Sequence, residues 1–122
     1  GRGSGAKLTL TSSVPRVGRA RRARATMSSI SLTPPNPDYA DRVRDSFARQ
    51  AAMRLIGATI TEVGPGAVTI ALPVRDDLTQ QHRYVHGGVV GMIADSAAGY
   101  AGFSLMPAAA SVLTVEYKIN ML

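Results

Sequence analysis

The chain has 122 residues, a length that suits one small domain. It has no Cys, which excludes disulfides, thiolate zinc sites and Cys nucleophiles, and only two His, His82 and His86, which argues against a His-rich metal site. The net charge of +6 belongs to one end: residues 1–26 hold seven of the fourteen basic residues and no acid, so the rest is near neutral and gives no electrostatic reason to bind nucleic acid.

Residues 1–26 are rich in Gly, Ser, Thr, Ala and Arg, with almost no large apolar residue after Val17. Such a segment buries too little surface to offset its ordering entropy and is expected to be disordered. An acid-free, Arg- and Ser-rich start is compatible with an organelle transit peptide, and then with a mitochondrial or plastid location. The run Arg19–Arg24 is compatible with a nucleic-acid or nuclear-import patch. A third reading makes Met27 the true start, with a cytoplasmic protein behind it. No apolar stretch follows the basic residues, so no secretory signal is visible.

Residues 27–37 read as a linker, because Pro34, Pro35 and Pro37 forbid a helix. The tail and linker together make 1–37, and the domain is expected over 38–122. Asp38 or Asn36 can cap a helix over about 39–54, with Tyr39, Val43, Phe47 and Met53 at roughly helical spacing. Gly57 lies just past its end. The period then changes to two. Ile56, Ala58 and Ile60 alternate with smaller or polar residues, Gly64-Pro65-Gly66 marks a turn, and Val68, Ile70 and Leu72 resume the alternation. This predicts a β-hairpin, ending near Pro73. Residues 75–85 form a polar loop.

A long apolar helix is predicted over 86–106, opening at Gly87-Gly88 and stopped by Pro107. It is apolar almost all round, so it should be buried. A membrane span is disfavoured by Asp95 at its centre, which costs roughly 2.5–3.5 kcal/mol on insertion scales. Residues 111–122 alternate again and predict a third strand. The fold class is α+β.

Two features carry chemistry. Gly91, Asp95, Ala98, Gly99 and Gly102 fall on one side of the long helix. Asp95 is the only functional group on that stripe, which makes it a candidate general base or nucleophile. The alternative is an Asp95 bonded to a neighbouring N–H or Arg, with the glycines serving tight helix–sheet packing. Gly87 and Gly88 open the helix, where unpaired N–H groups and the positive dipole end can meet a developing oxyanion.

The stretch HGGVVGMIADSAAGYAG, residues 86–102, resembles the central helix of the hotdog-fold acyl-CoA thioesterases of PaaI type, the 4-hydroxybenzoyl-CoA thioesterase-like family. The resemblance extends over about residues 45–122. It implies a hotdog fold, an antiparallel sheet wrapped around one long helix, in a homodimer or homotetramer with active sites at the dimer interface. It implies hydrolysis of acyl-CoA to free acid and coenzyme A, with no separate cofactor, no metal, no nucleic acid and no membrane partner. By position, Asp95 matches the catalytic carboxylate and Gly87 the glycine whose N–H polarises the thioester carbonyl. His86 matches a histidine that orders the loop, and Gln80 an Asn or Gln near the nucleophilic water. Gly88 and Gly99 fall beside these, although Gly99 is Ser or Thr in some members. Thr114, Lys118 and Asn120 fall in a strand associated with the substrate path. The family continues through further strands after position 122, so 38–122 is expected to be a partial domain. A non-catalytic hotdog module, a hotdog dehydratase and a nucleic-acid-binding protein stand as alternatives.

Overall fold

The computed structural model describes residues 7–11 and 31–121. It is an α+β arrangement: a three-stranded antiparallel sheet with helices packed against it. The strands are β1 (Lys7–Thr11), β2 (Thr59–Gly64) and β3 (Ala67–Pro73), in the order β1-β3-β2. The helices are α1 (Tyr39–Ala48), α2 (Ala51–Ile56) and α3 (Gly87–Phe103), with a short 3-10 turn at Asp76–Leu78 before α3.

The hairpin forms where alternation and turn chemistry coincide. Pro65 and Gly66 make the two-residue connection, and Gly66 takes a φ of 71°, a left-handed value that glycine adopts without strain. Ile60 faces Ile70 and Glu62 faces Thr69, so Thr61 is an extra residue, a bulge, in β2. The strand β3 is buried along Val68–Leu72 rather than on alternate residues, because it is central. Both of its edges are paired, and α3 lies across it.

Four sequence expectations are corrected. First, residues 7–11 lie within the tail expected to be disordered, yet they form β1, with Lys7 opposite Pro73 and Thr11 opposite Thr69. The alternation in KLTLT is strand-like, and the open edge of β3 supplies the hydrogen-bond partners that a local reading lacks. The rest of the tail, and with it the transit, nuclear-import and start-site readings, lies outside the described residues.

Second, the helix expected over 39–54 is two helices. Gln50 is extended (φ −72°, ψ 103°) and breaks the path. Its side chain is engaged with Tyr100 and Ser96, so tertiary bonds override a continuous apolar pattern. At the start of α1, Asp38 is the N-cap residue, but its side chain caps nothing; its N–H donates to Asn36 Oδ1 at 3.1 Å. At the end of α2, Gly57 has a φ of 73°, and Ala58 N–H reaches Met53 O at 2.9 Å, closing a Schellman motif.

Third, α3 spans 87–103 rather than 86–106. It is buried on one face only. Ile93, Ala97, Tyr100 and Ala101 turn into the core, while Met92, Ala98 and Gly102 are exposed. Its far end is held by two side chains. Ser104, fully buried, donates to Ala101 O at 2.7 Å and accepts from Gly66 N–H at 2.8 Å, tying the hairpin turn to the helix. Arg42 donates to the carbonyls of Met106, Pro107 and Ala110, with its guanidinium 3.8 Å from the centre of the Phe103 ring.

Fourth, residues 111–121 form no strand. The alternating pattern supplies the propensity, but a strand needs an edge to pair with, and this segment meets none among the described residues. It runs instead over the small-residue face of α3. A Cβ added at Gly91 would lie 3.1 Å from the Tyr117 hydroxyl, and one at Gly87 would lie 3.3 Å from Met121 Sδ.

Among the described residues, no helix is long and apolar enough to cross a membrane, and no group of three or more His, Asp or Glu side chains could hold a metal ion.

Candidate functional site

The helix opening is built by His86. It is the N-cap residue of α3, and its Nδ1 accepts the Gly88 N–H at 2.9 Å. The His86 carbonyl accepts from Val89 and Val90 N–H. The Gly87 N–H is therefore the one left without an acceptor at this end among the described residues. It is half-buried, with Met121 close by, at the positive end of a helix dipole. An N–H so placed is able to donate to an anionic oxygen. Gly88, by contrast, has its N–H committed to His86.

Two turns further along, Asp95 stands half-exposed on α3. It makes no hydrogen bond or ion pair among the described residues; the ion pair found there joins Arg75 and Asp77 in a surface loop. The reading in which Asp95 orders the core through an Arg or an N–H is thus not what the structure shows. Gly91 is packed closely under Tyr117, but Gly99 and Gly102 do not serve tight packing: a Cβ added at either would meet nothing within 4 Å. They leave open space on the helix face turned away from the sheet.

Two cavities use that space. One, of about 670 Å³, is walled by α1, the α1–α2 corner and α3, with residues 110–114 across it. The other, of about 420 Å³, lies along α3 beneath residues 113–119. Asp95, Gly99, Leu113 and Thr114 line both, so the carboxylate sits where the two cavities meet. Lys118 lines the smaller one.

The remaining sequence candidates are not gathered here. Gln80 lies in the loop before α3, which a Thr79–Val85 bridge closes, and its Oε1 accepts the His82 N–H. Neither Gln80 nor Asn120 lines the cavities around Asp95, nor do His86, Gly87 and Gly88. Gly87 and Asp95 are eight residues apart on one helix, about 12 Å along its axis. Conversely, the larger cavity contains polar residues that the sequence did not single out: Arg42, Ser46, Arg49, Gln50 and Ser96. Ser46 and Gln50 lie in a stretch whose helical period only marks them as surface, and nothing local shows that Tyr100 reaches them.

The crystal structure of a thioesterase family protein from Silicibacter pomeroyi is similar to this chain, with 54% sequence identity and a TM-score of 0.67. The match covers 69% of this chain and 62% of that one, so the chain spans less than two thirds of that protein's length. No protein-family model and no curated protein matches the chain.

Proposed function

We propose that this chain is a hotdog-fold thioesterase of PaaI type that hydrolyses acyl-CoA to a free acid and coenzyme A, with Asp95 as the catalytic carboxylate. The observation that carries the reading is the unpartnered Asp95 carboxylate at the junction of two cavities. The 54% identity to a thioesterase family protein supports the reaction class.

The chemistry asks for little machinery. A thiol leaving group has a pKa of roughly 8.5, so the thiolate departs readily once a tetrahedral centre forms. Asp95 takes a proton from water as the water oxygen bonds to the acyl carbon, or attacks that carbon itself to give an anhydride that water then opens. In either route the C–S bond breaks, the thiolate leaves and is protonated, and the acyl carbon retains the new oxygen. Gly87 N–H and the α3 dipole stabilise the oxyanion in between.

In the direct-attack route, a carboxylate oxygen attacking a carbonyl carbon and an N–H bound to the same carbonyl oxygen lie within roughly 7 Å of each other. Gly87 and Asp95 of one chain are spread wider along α3. Together with the resemblance to oligomeric hotdog thioesterases, this supports a reading in which Asp95 of one copy faces Gly87 of another, in a homodimer or higher oligomer. Gln80, close in sequence to Gly87, would accompany it and hold the water, and Thr114 and Lys118 would accompany Asp95 along the substrate path.

The test is thiol release from a panel of acyl-CoA esters. Asp95→Asn is expected to lower kcat by about 10²-fold or more, the scale of general-base loss, with an unchanged circular dichroism spectrum. Full turnover in that variant would remove Asp95 from the mechanism. Binding of acyl-CoA without turnover in the parent chain would favour a non-catalytic module.

A further inference from the structure

The C-terminal end of α3 brings no cation and no left-handed glycine of its own. Its last turn has no basic residue, and its C-cap residue, Ser104, is in the right-handed helical conformation. The carbonyls at such an end carry the negative pole of the helix and need donors. Here the donor comes from α1. The half-buried Arg42 donates to Met106 O at 3.2 Å, to Pro107 O at 2.9 Å and to Ala110 O, and its guanidinium lies 3.8 Å from the centre of the Phe103 ring. Three carbonyls and one aromatic face suit a planar fork of donors and do not suit a point charge.

Ala110 is the last fixed point before the segment that follows. None of residues 111–121 makes a hydrogen bond among the described residues. The segment nevertheless follows a definite course back along α3. Leu113 and Thr114 lie by Asp95 and Gly99, the Tyr117 hydroxyl by Gly91 and Met121 by Gly87. Residues 110–114 wall the larger cavity and residues 113–119 the smaller one. The direction in which the chain leaves Ala110 therefore decides whether those walls stand.

We infer that Arg42 is a positioning residue for the reaction: it aims residues 110–119 over Asp95 and so holds up one wall of each cavity. The inference rests on the assignment of Asp95 as the reacting carboxylate. Arg42 acts through the segment and takes no part in bond making. A segment released from Arg42 lies over Asp95 only part of the time, and the apparent affinity for substrate falls by that fraction. Asp95 and Gly87 belong to α3 itself, so the chemistry of bound substrate is kept.

The contact between Tyr117 and Gly91 reports the course of the segment without substrate. It should give a nuclear Overhauser effect in the parent chain and lose most of it in Arg42→Gln. In thiol release from phenylacetyl-CoA and hexanoyl-CoA, Arg42→Gln should raise KM about tenfold, as for a wall in place a tenth of the time, and leave kcat within about twofold. Calorimetry with the S-phenethyl and S-hexyl thioethers of coenzyme A should show the same loss in Kd. Arg42→Lys keeps the charge without the fork and should behave like Arg42→Gln; a parent-like KM in Arg42→Lys would show a direct charge contact with substrate and overturn the inference. If Arg42→Gln fails to fold, Phe103→Leu, which removes the ring under the guanidinium, carries the same two readings, and no change in either overturns the inference. An Overhauser effect kept in full, or a fall in kcat at unchanged KM, the mark of lost folded protein, overturns it as well. A Kd loss in a chain without turnover leaves Arg42 in its role and removes the hydrolase reading. If the parent chain binds neither thioether, the acyl-CoA reading falls, and the Tyr117–Gly91 contact alone decides whether Arg42 aims the segment.

Discussion

At the scale of single residues, the opening of α3 separates two glycines that look alike in sequence. Gly88 gives its N–H to His86, and Gly87 keeps its own. This permits a variant that deletes only the donor. Proline is favoured at the first helical position, and His86 before it already has φ −59° and ψ 134°, the extended conformation that a following proline requires. Gly87→Pro should therefore keep the helix, with an unchanged far-ultraviolet circular dichroism spectrum. It should lower thiol release about 10²–10³-fold, the usual loss for one oxyanion donor. Retained turnover would move the oxyanion elsewhere. The relative placement of His86, Gly87 and Asp95 was legible in the sequence because spacing on a helix fixes it. The local bond that occupies Gln80 was not, because loop closure at Thr79–Val85 involves backbone geometry that residue types do not specify.

At the scale of elements, the corner between α2 and β2 fixes how the hairpin leaves the helices. Gly57, at φ 73°, is the left-handed residue of the Schellman motif, and its position faces Arg75 and Pro73. Gly57→Ala forces an L side chain into that conformation, at roughly 1–2 kcal/mol. A Cβ there would also lie 3.3 Å from Arg75 Nη1, the end of a flexible side chain that can shift. Urea unfolding should thus show a lower midpoint with an unchanged slope; an unchanged midpoint would show that the corner tolerates the substitution. This turn was legible, since a glycine that follows a helical run and precedes a period-two run marks a left-handed helix end. The helix break at Gln50 was not: the apolar period runs through it, and its cause is fifty residues away, at Tyr100.

At the scale of the whole molecule, one segment is out of balance with the rest. Leu113 and Val115 are 87% and 92% exposed, and Tyr117 is more than half exposed, in a stretch that pairs with no strand among the described residues. Side chains of this size gain about 1.5–3 kcal/mol each when buried, and unpaired strand-like backbone invites another chain. Self-association in sedimentation velocity is the expected behaviour, and it should weaken with Val115→Lys. A monomer at all concentrations would contradict both this and the sharing of the site between copies.

The sequence by itself determined the hairpin, the long helix, the acid on its small-residue face and the glycines at its start, because each follows from local period, turn chemistry or helical spacing. Only the tertiary structure decided that Lys7–Thr11 completes the sheet, that residues 111–121 lie over α3 without pairing, and that Ser46, Gln50, Ser96 and Tyr100 meet in one cavity with Asp95. Those outcomes depend on which distant edge, donor or void is within reach, and that is a property of the packed chain rather than of any stretch of it.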